Sequence, residues 1–330
     1  MSSKRVLVTG AAGFIGFHSA LALKARGDFV IGCDLFNDYY DPNLKKARAE
    51  LLYQEGIEIQ KLDICHPLAI ETLLNSYQIT HVLHLAAQAG VRHSMEHPEC
   101  YVHSNLNGFI HLLEALKRFP EVKLIYASSS SVYGTNSKIP FAESDLTDHP
   151  ASFYGATKKC NEITAASYHH VYGISCTGLR YFTVYGPWGR PDMAYFSFTR
   201  AILEGIPITV YGEGKLKRDF TYIDDIVAGT LSAIDLGAPL EIFNLGNCHP
   251  HSVTELIEHL EDLLEKKAIL NFEPMPRGDV PMTYADISKS KNQINFEPKV
   301  NLKDGLTHFI NWYLSHYPSA KKGASLHSLR

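Results

Sequence analysis

The sequence predicts an α/β fold: a doubly wound parallel sheet followed by a smaller α/β lobe toward the C-terminal end. Three observations support this prediction. Apolar, β-branched runs alternate with helical stretches through the first half of the 330-residue chain. Three glycines, Gly10, Gly13 and Gly16, connect the first such run to the first helical stretch. The second run ends at an acid, Asp34, as in parallel sheets that bind a dinucleotide at one edge.

The first strand and the turn after it predict a phosphate-binding site. Residues 5–9 form a short β-branched and apolar run that is typical of a buried parallel strand. Gly10 permits a tight turn, Gly13 lets the backbone approach a pyrophosphate, and Gly16 lets the helix pack closely on the strand. The N-terminus of that helix supplies free N–H groups and the positive end of a dipole for the phosphates.

Asp34 indicates which dinucleotide is bound. The second strand, residues 29–33, places this carboxylate at the same edge as the glycine turn. An acid there accepts hydrogen bonds from the adenosine ribose hydroxyls and repels a 2′-phosphate, so NAD is favoured over NADP. The alternative is a glycine-rich turn without a ligand, and the strand, helix and acid around this one argue against it. We therefore predict a Rossmann-type domain.

The third and fourth strands, residues 57–62 and 81–85, are expected to frame the same ligand. Asp63 and Ile64 end the third strand, where a polar side chain and an apolar face can flank the adenine. Small residues at 86–87 end the fourth strand and leave room for a nicotinamide ribose.

A helix and a fifth strand complete this edge. The helix is expected from Pro98 through Asn105 to about Lys117, and residues 122–126 form the strand. The fifth strand brings the serines at 128–131 to its carboxyl end. Because ligands of open parallel sheets lie outside the carboxyl ends of the strands, the glycine turn and the serines should converge on one site.

Tyr154 and Lys158 predict proton chemistry at this site. They are four residues apart, so they lie on one face of a helix, one turn from each other. An adjacent ammonium favours the phenolate and is expected to lower the tyrosine pKa from about 10 toward neutrality. A serine hydroxyl from the fifth strand can hydrogen-bond the same substrate oxygen. The alternative is a surface pair without function, and the dinucleotide motif argues against it.

Composition excludes several classes of partner. A net charge of −4 with 20% charged residues argues against nucleic acid as the main partner. No apolar run approaches the roughly 20 residues that span a bilayer, and residues 1–4 lead directly into the first strand, so we expect no membrane segment and no signal peptide. The six cysteines lack Cys-x-x-Cys spacing and are expected to be reduced core residues. These features predict a cytoplasmic protein.

Two histidine pairs raise the question of a metal. His169 and His170 lie on the helix of Tyr154, and His249 and His251 lie in a loop. Neither pair has a third ligand at metal spacing, so we predict no metal site.

Three arginines mark the second half of the chain as an anion-binding region. Arg190, Arg218 and Arg277 lie in loops rich in glycine and proline. A guanidinium binds phosphate or carboxylate bidentately, which suits an anionic substrate. Each arginine could instead cap a helix or pair with a nearby acid.

The predicted domain boundaries follow from the change between the alternating strands and helices of the first half and the arginine-containing loops of the second half. Residues 1–181, with 221–247 returning to it, are assigned to the NAD-binding domain. Residues 182–220 and 248–318 are assigned to the substrate lobe. The polar end, residues 319–330, is expected to be a disordered tail.

Together these motifs resemble the nucleotide-sugar epimerases of the extended short-chain dehydrogenase/reductase superfamily. The resemblance extends to about Tyr317. It rests on the glycine turn, Asp63, Ala86-Ala87, Ser129, Tyr154-x-x-x-Lys158 and Arg218-Asp219. Within that family, residues 86–92 and 182–194 are most similar to the UDP-glucuronate 4-epimerases.

The resemblance implies a reaction and a homodimer. Tightly held NAD+ takes a hydride from C4 of a UDP-sugar while Tyr154, as phenolate, takes the hydroxyl proton; the ketone then rotates and receives the hydride on its other face. Lys158 is expected to hold the nicotinamide ribose. Ser129, with Ser130 as second choice, is expected to hold the 4-oxygen. The homodimer is expected to form through a bundle of the helices that carry Asn105 and Tyr154.

The resemblance also implies the remaining site residues. The cofactor is expected to contact Gly10, Gly13, Phe14, Ile15, Gly16, Asp34, Asp63, Ile64, Leu85, Ala86, Ala87, Asn105, Tyr154 and Lys158. The UDP-sugar is expected to contact Arg92, Ser130, Thr183, Arg190, Arg218, Arg277 and Asp279. Thr183 and Arg190 are expected near a substrate carboxylate, and Arg218 and Arg277 at the pyrophosphate.

Other reactions of related enzymes remain as alternatives. The 4,6-dehydratases and UDP-glucuronate decarboxylases carry carboxylates just after the catalytic hydroxyl residue, where this chain has Ser130 and Ser131. Epimerases of neutral or N-acetylated UDP-hexoses usually have asparagine at the position of Thr183 and lack Arg190. A catalytically silent NAD-binding scaffold is the alternative from another class, because fold does not fix function.

Overall fold

The computed structural model of the chain describes residues 3–66 and 68–318. The predicted tail, residues 319–330, lies outside the described residues. A seven-stranded parallel sheet forms the centre of the molecule, with helices packed on both faces, and this confirms the predicted fold class. In the part of the chain that is described, no helix combines the length and apolarity needed to cross a membrane.

Strands and helices alternate along most of the chain. The strands are β1 (Arg5–Thr9), β2 (Phe29–Asp34), β3 (Ile59–Lys61), β4 (His81–His84), β5 (Lys123–Ser129), β6 (Cys176–Tyr181), β7 (Thr183–Tyr185), β8 (Ile208–Tyr211), β9 (Lys217–Tyr222), β10 (Leu240–Leu245), β11 (Pro250–Ser252) and β12 (Leu270–Glu273). The helices are α1 (Phe14–Ala25), α2 (Pro42–Gln54), α3 (Ala69–Ser76), α4 (His93–Glu96), α5 (Pro98–Tyr101), α6 (Gly108–Leu116), α7 (Phe153–Tyr172), α8 (Ala194–Glu204), α9 (Ile223–Leu236), α10 (Val253–Leu264), α11 (Ser288–Ile294) and α12 (Leu302–His316).

The central sheet has the order β10-β6-β5-β4-β1-β2-β3, and every neighbouring pair is parallel. The strand order reverses between β1 and β4, where doubly wound sheets form a crevice outside the strand ends. β10, from residues 221–247, forms one edge of this sheet. The C-terminal lobe contributes a three-stranded sheet, β11-β9-β7, and a two-stranded sheet, β12-β8.

Strand β1 shows why both faces of the sheet are covered. Its alternate side chains point to opposite faces, and the three between Arg5 and Thr9 are all apolar. Val6 and Val8 join one core with Phe17 of α1, whereas Leu7 joins a second core with Leu112 of α6. A continuous apolar strand of this kind is stable only between two layers of helices.

Three predicted element boundaries are wrong. The third strand is shorter than residues 57–62, and the fifth strand extends beyond residue 126 through Ser129. The helix predicted from Pro98 to Lys117 is interrupted by a π-helical segment, Val102–Asn107. The π turn inserts an extra residue and turns the buried Asn105 side chain toward the end of β4, where it bonds the backbone of Gln88.

A buried ion pair joins the fifth and sixth strands to α7. Arg180 Nε and Nη2 donate to the two carboxylate oxygens of Glu162 at 2.8 and 2.9 Å. Ser128 Oγ donates to the same carboxylate at 2.6 Å, and Arg180 Nη1 donates to the Tyr133 hydroxyl at 2.9 Å. Because Glu162 lies on the helix of Tyr154, this network fixes that helix on the sheet.

Glu162→Ala is expected to lower the free energy of unfolding by about 3–5 kcal/mol, because it leaves the Arg180 guanidinium buried without a counter-charge. Chemical denaturation measures this change. Glu213→Gln, which removes the exposed ion pair with Lys215, is the matched control and should leave the midpoint unchanged. A Glu162→Ala midpoint equal to that of the wild type would contradict the role given to the buried pair.

Candidate functional site

A cavity of about 800 Å³ lies along the carboxyl ends of the central strands and reaches into the C-terminal lobe. It is lined by every predicted catalytic, cofactor and substrate residue except Asn105 and Arg277. The structure therefore brings together side chains that are more than 250 positions apart in sequence, from the glycine turn to Asp279.

The glycine turn forms a cradle of exposed backbone. Gly10 has a φ of +70°, and a Cβ there would lie 2.7 Å from the backbone nitrogen of Ala86. A Cβ on Gly16 would lie 2.1 Å from the carbonyl oxygen of Gly10, so only glycine lets α1 approach the turn. Gly13 precedes α1 and no side chain caps this N-terminus. The cradle fits a pyrophosphate, which accepts bonds from such N–H groups.

Asp34 lies beside this cradle and is buried. One of its carboxylate oxygens accepts the Ala12 backbone N–H at 3.1 Å and the other accepts that of Phe36 at 2.8 Å. Each oxygen keeps a lone pair for a ribose hydroxyl. Asn37 and Lys45 line the same corner, and they bond each other through the lysine ammonium and the Asn37 carbonyl oxygen at 2.9 Å. The motif search missed them because they belong to no fixed spacing.

Asp63 has local partners of its own. Its carboxylate accepts the Cys65 backbone N–H at 2.9 Å and bonds His103 Nε2 at 3.0 Å. Partial burial opposes ionisation, but these two bonds lower the pKa of Asp63 below its usual value. Ile64 packs over Gly108 of α6, where a Cβ would lie 2.6 Å from its side chain. Asp63 and Ile64 thus form the end of the cavity.

Two groups of metal-ligating side chains occur among the described residues. The ligating atoms of Asp63, Cys65 and His103 lie within 4.8 Å of one another, as do those of His93, Glu96 and His97. In the first group the Cys65 thiol donates to the His103 carbonyl oxygen at 3.1 Å, and Asp63 bonds the His103 ring, so the three side chains already bond one another or the backbone. Neither group includes the histidine pairs that the sequence singled out.

Asn105 supports the site from beneath instead of lining it. Its side-chain oxygen accepts the Gln88 N–H at 2.8 Å, and its amide donates to the Gln88 carbonyl at 3.0 Å and to Thr157 Oγ1 at 3.0 Å. The strong donors and acceptors of this side chain face protein groups, and its contact with the cofactor stays a prediction. It fixes the strand end at 86–88 against α7.

The four serines after β5 are used differently. Ser128 donates its hydroxyl proton to Glu162 in the buried network, so this proton is not available to Tyr154. Ser129 Oγ accepts the Ser131 backbone N–H at 3.1 Å, and the Ser129 hydroxyl lies close enough to Tyr154 to lower its pKa. Ser130 lines the cavity beside it. The geometry favours Ser129 as the partner of the tyrosine.

The expected effect of Lys158 on Tyr154 is wrong. Burial raises the pKa of Tyr154, and the nearby Ser129 hydroxyl and the positive charge of Arg190 oppose this rise. The Lys158 ammonium points to the sheet, where it donates to the Ala127 carbonyl oxygen at 3.0 Å. Burial also lowers the pKa of Lys158 to about 8. Helical spacing correctly placed Tyr154 and Lys158 on one face, but it could not reveal how strongly burial shifts the pKa of each.

The predicted anion-binding residues form two groups. Arg190 and Thr183 line the cavity on the side of Tyr154, and Arg190 is paired with Asp192. Arg218 is paired with Asp279, and Arg92 lies 3.8 Å from the same carboxylate. The cavity wall at this second group also includes Tyr211, whose ring lies 4.3 Å from the Arg92 guanidinium carbon.

Arg277 does not belong to the cavity. Its side chain is exposed, and the adjacent Gly278 and Asp279 line the wall in its place. The contact of Arg277 with the substrate pyrophosphate therefore stays a prediction. A loop arginine two residues from Asp279 could not be distinguished from a wall residue by sequence spacing alone.

Two basic side chains that the sequence search missed anchor the loop around Arg190. Arg48 of α2 is fully buried and donates to the carbonyl oxygens of Ala12, Trp188 and Gly189. His18 of α1 bonds the Pro187 carbonyl oxygen at 2.9 Å, and burial lowers the pKa of His18 to about 4. Both lie on helices of the dinucleotide half, so no local pattern connected them with the loop.

Comparisons with known proteins place the chain in a family. A model of the "NAD dependent epimerase/dehydratase family" matches residues 6–246. The chain is 53% identical to UDP-glucuronate 4-epimerase 4 of Arabidopsis thaliana, over 97% of this chain and 77% of that protein. The structure resembles that of UDP-glucuronic acid 4-epimerase from Bacillus cereus in complex with UDP-glucuronic acid and NAD. That match has a TM-score of 0.89 and 38% identity, and covers 95% of this chain and all of that one.

A further solved structure is also similar. UDP-glucose 4-epimerase from Thermotoga maritima, in complex with UDP-glucose, matches with a TM-score of 0.86 and 30% identity, over 94% of this chain and 99% of that one. The fold therefore occurs in proteins named for charged and for neutral sugars.

Lys158→Met tests the electrostatics of this site through pH. In the nucleotide-free protein burial lowers the pKa of Lys158 to about 8 from 10.5, so between these values the unfolded chain binds more protons than the folded protein. The folded state therefore becomes more stable as the pH rises through this window. The free energy of unfolding of the wild type minus that of Lys158→Met should rise between pH 8 and 10.5, and should be flat below pH 8.

Chemical denaturation over this pH range measures the difference. Lys24→Met, at an exposed position of α1, is the control and should give a flat difference throughout. A difference that falls with pH would mean that the ammonium form of Lys158 is favoured by the fold.

Proposed function

This chain belongs to the NAD dependent epimerase/dehydratase family, and we propose that it interconverts UDP-glucuronate and UDP-galacturonate by inversion at C4, with NAD as cofactor. One observation carries the proposal. Tyr154 and Ser129 share a single cavity with the glycine turn and with Arg190. A proton acceptor, a dinucleotide cradle and a site for a carboxylate are what this reaction needs.

The residues around the cradle would hold NAD along the strand ends. The glycine turn would bind the pyrophosphate, Asp34 the adenosine ribose, and Asp63 with Ile64 the adenine. Lys158 would hold the nicotinamide ribose, since the short residues at 86–87 leave the strand end open beside it. When bound, NAD supplies a hydride acceptor for C4 of the sugar and returns the hydride to the opposite face.

Tyr154 would take the proton from the C4 hydroxyl and give it back after the sugar has turned. Burial raises the pKa of its phenol, and the nearby Ser129 hydroxyl and the charge of Arg190 act in the opposite direction. Ser129 would donate to the C4 oxygen and so keep this oxygen within reach of the tyrosine. General acid–base groups positioned in this way contribute about 10²–10⁴-fold to a rate.

The substrate would lie between the two anion-binding groups. Thr183 and Arg190 would hold the glucuronate carboxylate, and Arg218 with Arg92 would bind the pyrophosphate, with Asp279 orienting both guanidiniums. Ser130 would line the sugar site. We keep the proposed domains, with residues 1–181 and 221–247 binding NAD and residues 182–220 and 248–318 binding the UDP-sugar.

Three alternatives are less well supported. A decarboxylase is disfavoured because Ser130 and Ser131 offer no carboxylate next to Ser129. An epimerase of neutral UDP-hexoses would have no use for a guanidinium in the wall at Arg190. A silent scaffold would have no need of Ser129, Tyr154 and Lys158 together in the wall of one cavity.

We also propose a cytoplasmic homodimer. Helices α6 and α7 pack side by side and expose apolar side chains, among them Ile110, Ile163 and Val171. The same two helices of a second copy would cover these side chains in a four-helix bundle. Exposed apolar side chains on adjacent helices are stabilised when a second copy of the chain covers them.

The proposed activity is tested by incubating the purified protein with UDP-glucuronate and following the sugar by proton NMR, first without and then with added NAD+. UDP-galacturonate is the expected product, without CO₂. Formation of a UDP-pentose would favour the decarboxylase. Turnover of UDP-glucose or UDP-N-acetylglucosamine in preference to UDP-glucuronate would favour the neutral-sugar epimerase.

Tyr154→Phe should lower kcat by at least about 10²-fold because it removes the proton acceptor and leaves the ring in place. Binding of NAD and UDP, measured by calorimetry, should change little. Tyr172→Phe, at an exposed position of the same helix, is the control and should keep full activity. A fully active Tyr154→Phe variant would contradict the role of the phenol.

Ile163→Arg should convert the dimer to a monomer by placing a charge in the apolar bundle, as measured by light scattering after gel filtration. Leu146→Arg, at another exposed apolar position, is the matched control and should remain dimeric. If both variants keep the mass of a dimer, the interface lies elsewhere.

A further inference from the structure

Tyr39 connects the dinucleotide half of the site to the arginine that faces the sugar. It lies in the loop between β2 and α2, and its hydroxyl donates to Asp192 Oδ2 at 3.1 Å. Asp192 lies in the loop between β7 and α8 and accepts two bonds from Arg190, one of them from Nε at 3.1 Å. The three side chains therefore form a chain of hydrogen bonds across the mouth of the cavity, from Tyr39 to Arg190.

The bonds to Asp192 leave the far end of the Arg190 guanidinium free to bind an anion. Arg190 uses Nε and one N–H of Nη2 for Asp192. The two N–H groups at the far end, on Nη1 and Nη2, are left to bind a carboxylate bidentately. The Arg190 guanidinium carbon also lies 5.9 Å from the centre of the Tyr39 ring, within range of a cation–π contact.

The surroundings of Tyr39 are shaped to receive it. Gly90 has a φ of +110°, and a Cβ there would lie 2.4 Å from the Tyr39 hydroxyl oxygen, so a side chain at Gly90 would displace the tyrosine. Tyr101 holds this backbone by donating to the carbonyl oxygens of Ala89 and Gly90 at 2.9 and 2.6 Å. The His93 ring packs on Tyr39 with ring centres 4.8 Å apart.

Tyr39 stays a proton donor at any ordinary pH. Burial and the negative charge of Asp192 raise the pKa of Tyr39 to about 12. Asp192 stays ionised, because Arg190 and the Tyr39 hydrogen bond outweigh its burial and lower its pKa. The Tyr39–Asp192 bond is therefore charge-assisted.

The chemistry of the proposed reaction makes the orientation of Arg190 decisive. Oxidation at C4 of a glucuronate gives a β-keto acid. If its C5–carboxylate bond aligns with the π system of the C4 carbonyl, that bond breaks and its electron pair forms an enolate on the C4 oxygen. CO₂ leaves, and a proton from solvent then adds to C5 to give a UDP-4-ketopentose. Holding the carboxylate out of this alignment prevents the loss.

We propose that Tyr39 is a positioning and specificity-determining residue, which acts through Asp192 to fix the Arg190 guanidinium so that the substrate keeps its carboxylate while C4 is oxidised. The inference rests on the proposed function and extends it: Tyr39 touches neither the reacting carbon nor its oxygen, and it decides which of two products the oxidised sugar gives. A loop arginine without this support could rotate with the carboxylate it binds.

Tyr39→Phe tests this inference, because it removes the hydroxyl and keeps the ring. With UDP-glucuronate as substrate, the ratio of decarboxylated product (CO₂ with UDP-4-ketopentose or UDP-pentose) to UDP-galacturonate should rise about tenfold or more, as expected for the loss of one charge-assisted hydrogen bond. Asp192→Asn should shift the ratio in the same direction. Tyr53→Phe, at an exposed position of α2, is the control and should keep the wild-type ratio.

The product ratio separates positioning from a merely structural role. If Tyr39→Phe slows both products equally, or changes only KM, the tyrosine supports the fold of the loop and the inference is wrong. An unchanged ratio at full activity overturns it as well. If the wild type itself does not act on UDP-glucuronate, the proposed function fails, whereas an active wild type with an insensitive Tyr39→Phe variant refutes only the role of Tyr39.

Discussion

A single buried guanidinium, that of Arg48, sets the distance between the two halves of the site. Its five N–H donors all have neutral acceptors: Nη1 bonds the Ala12 carbonyl and the Tyr40 hydroxyl, Nε and Nη2 bond the Trp188 carbonyl, and Nη2 also bonds that of Gly189. A buried charge is tolerated only when it is fully hydrogen-bonded, so this arrangement is rigid. Ala12 lies inside the glycine turn and Gly189 precedes Arg190, so Arg48 fixes the cradle relative to Arg190.

The loop that carries Arg190 is held in place although its sequence is rich in turn formers. Trp188 adopts a φ of +60°, and its ring packs against Phe17 and Trp312. A Cβ on Gly189 would lie 1.7 Å from the Tyr195 hydroxyl oxygen, so this glycine is required by close packing. A loop anchored at every turn offers its donors in a fixed direction, and preorganised donors stabilise charge without reorganising during the reaction.

Local patterns predicted much of the site, and contacts distant in sequence account for what they missed. The glycine turn, Asp34 and Tyr154 follow from spacing within a strand–turn–helix unit or a single helix turn. Arg48 contacts a loop 140 positions away, and no pattern in the sequence links the two. Asn105 lies near the predicted place but faces the backbone of Gln88, since a π turn redirects its side chain. The pKa of Tyr154 rises instead of falling because its side chain is buried, and this burial arises only when the two lobes pack together.

The position of Arg190 links two requirements that a sequence treats separately. Its positive charge acts on Tyr154, whereas the Lys158 ammonium is directed to the backbone of β5. Asp192 offsets part of that charge, and a carboxylate bound at the free end of the guanidinium would offset more of it. Binding of a charged sugar there would therefore weaken the effect of Arg190 on the pKa of Tyr154. In the proposed reaction, recognition of the substrate and the basicity of its proton acceptor would thus depend on one side chain, and a substitution at Arg190 would change both together.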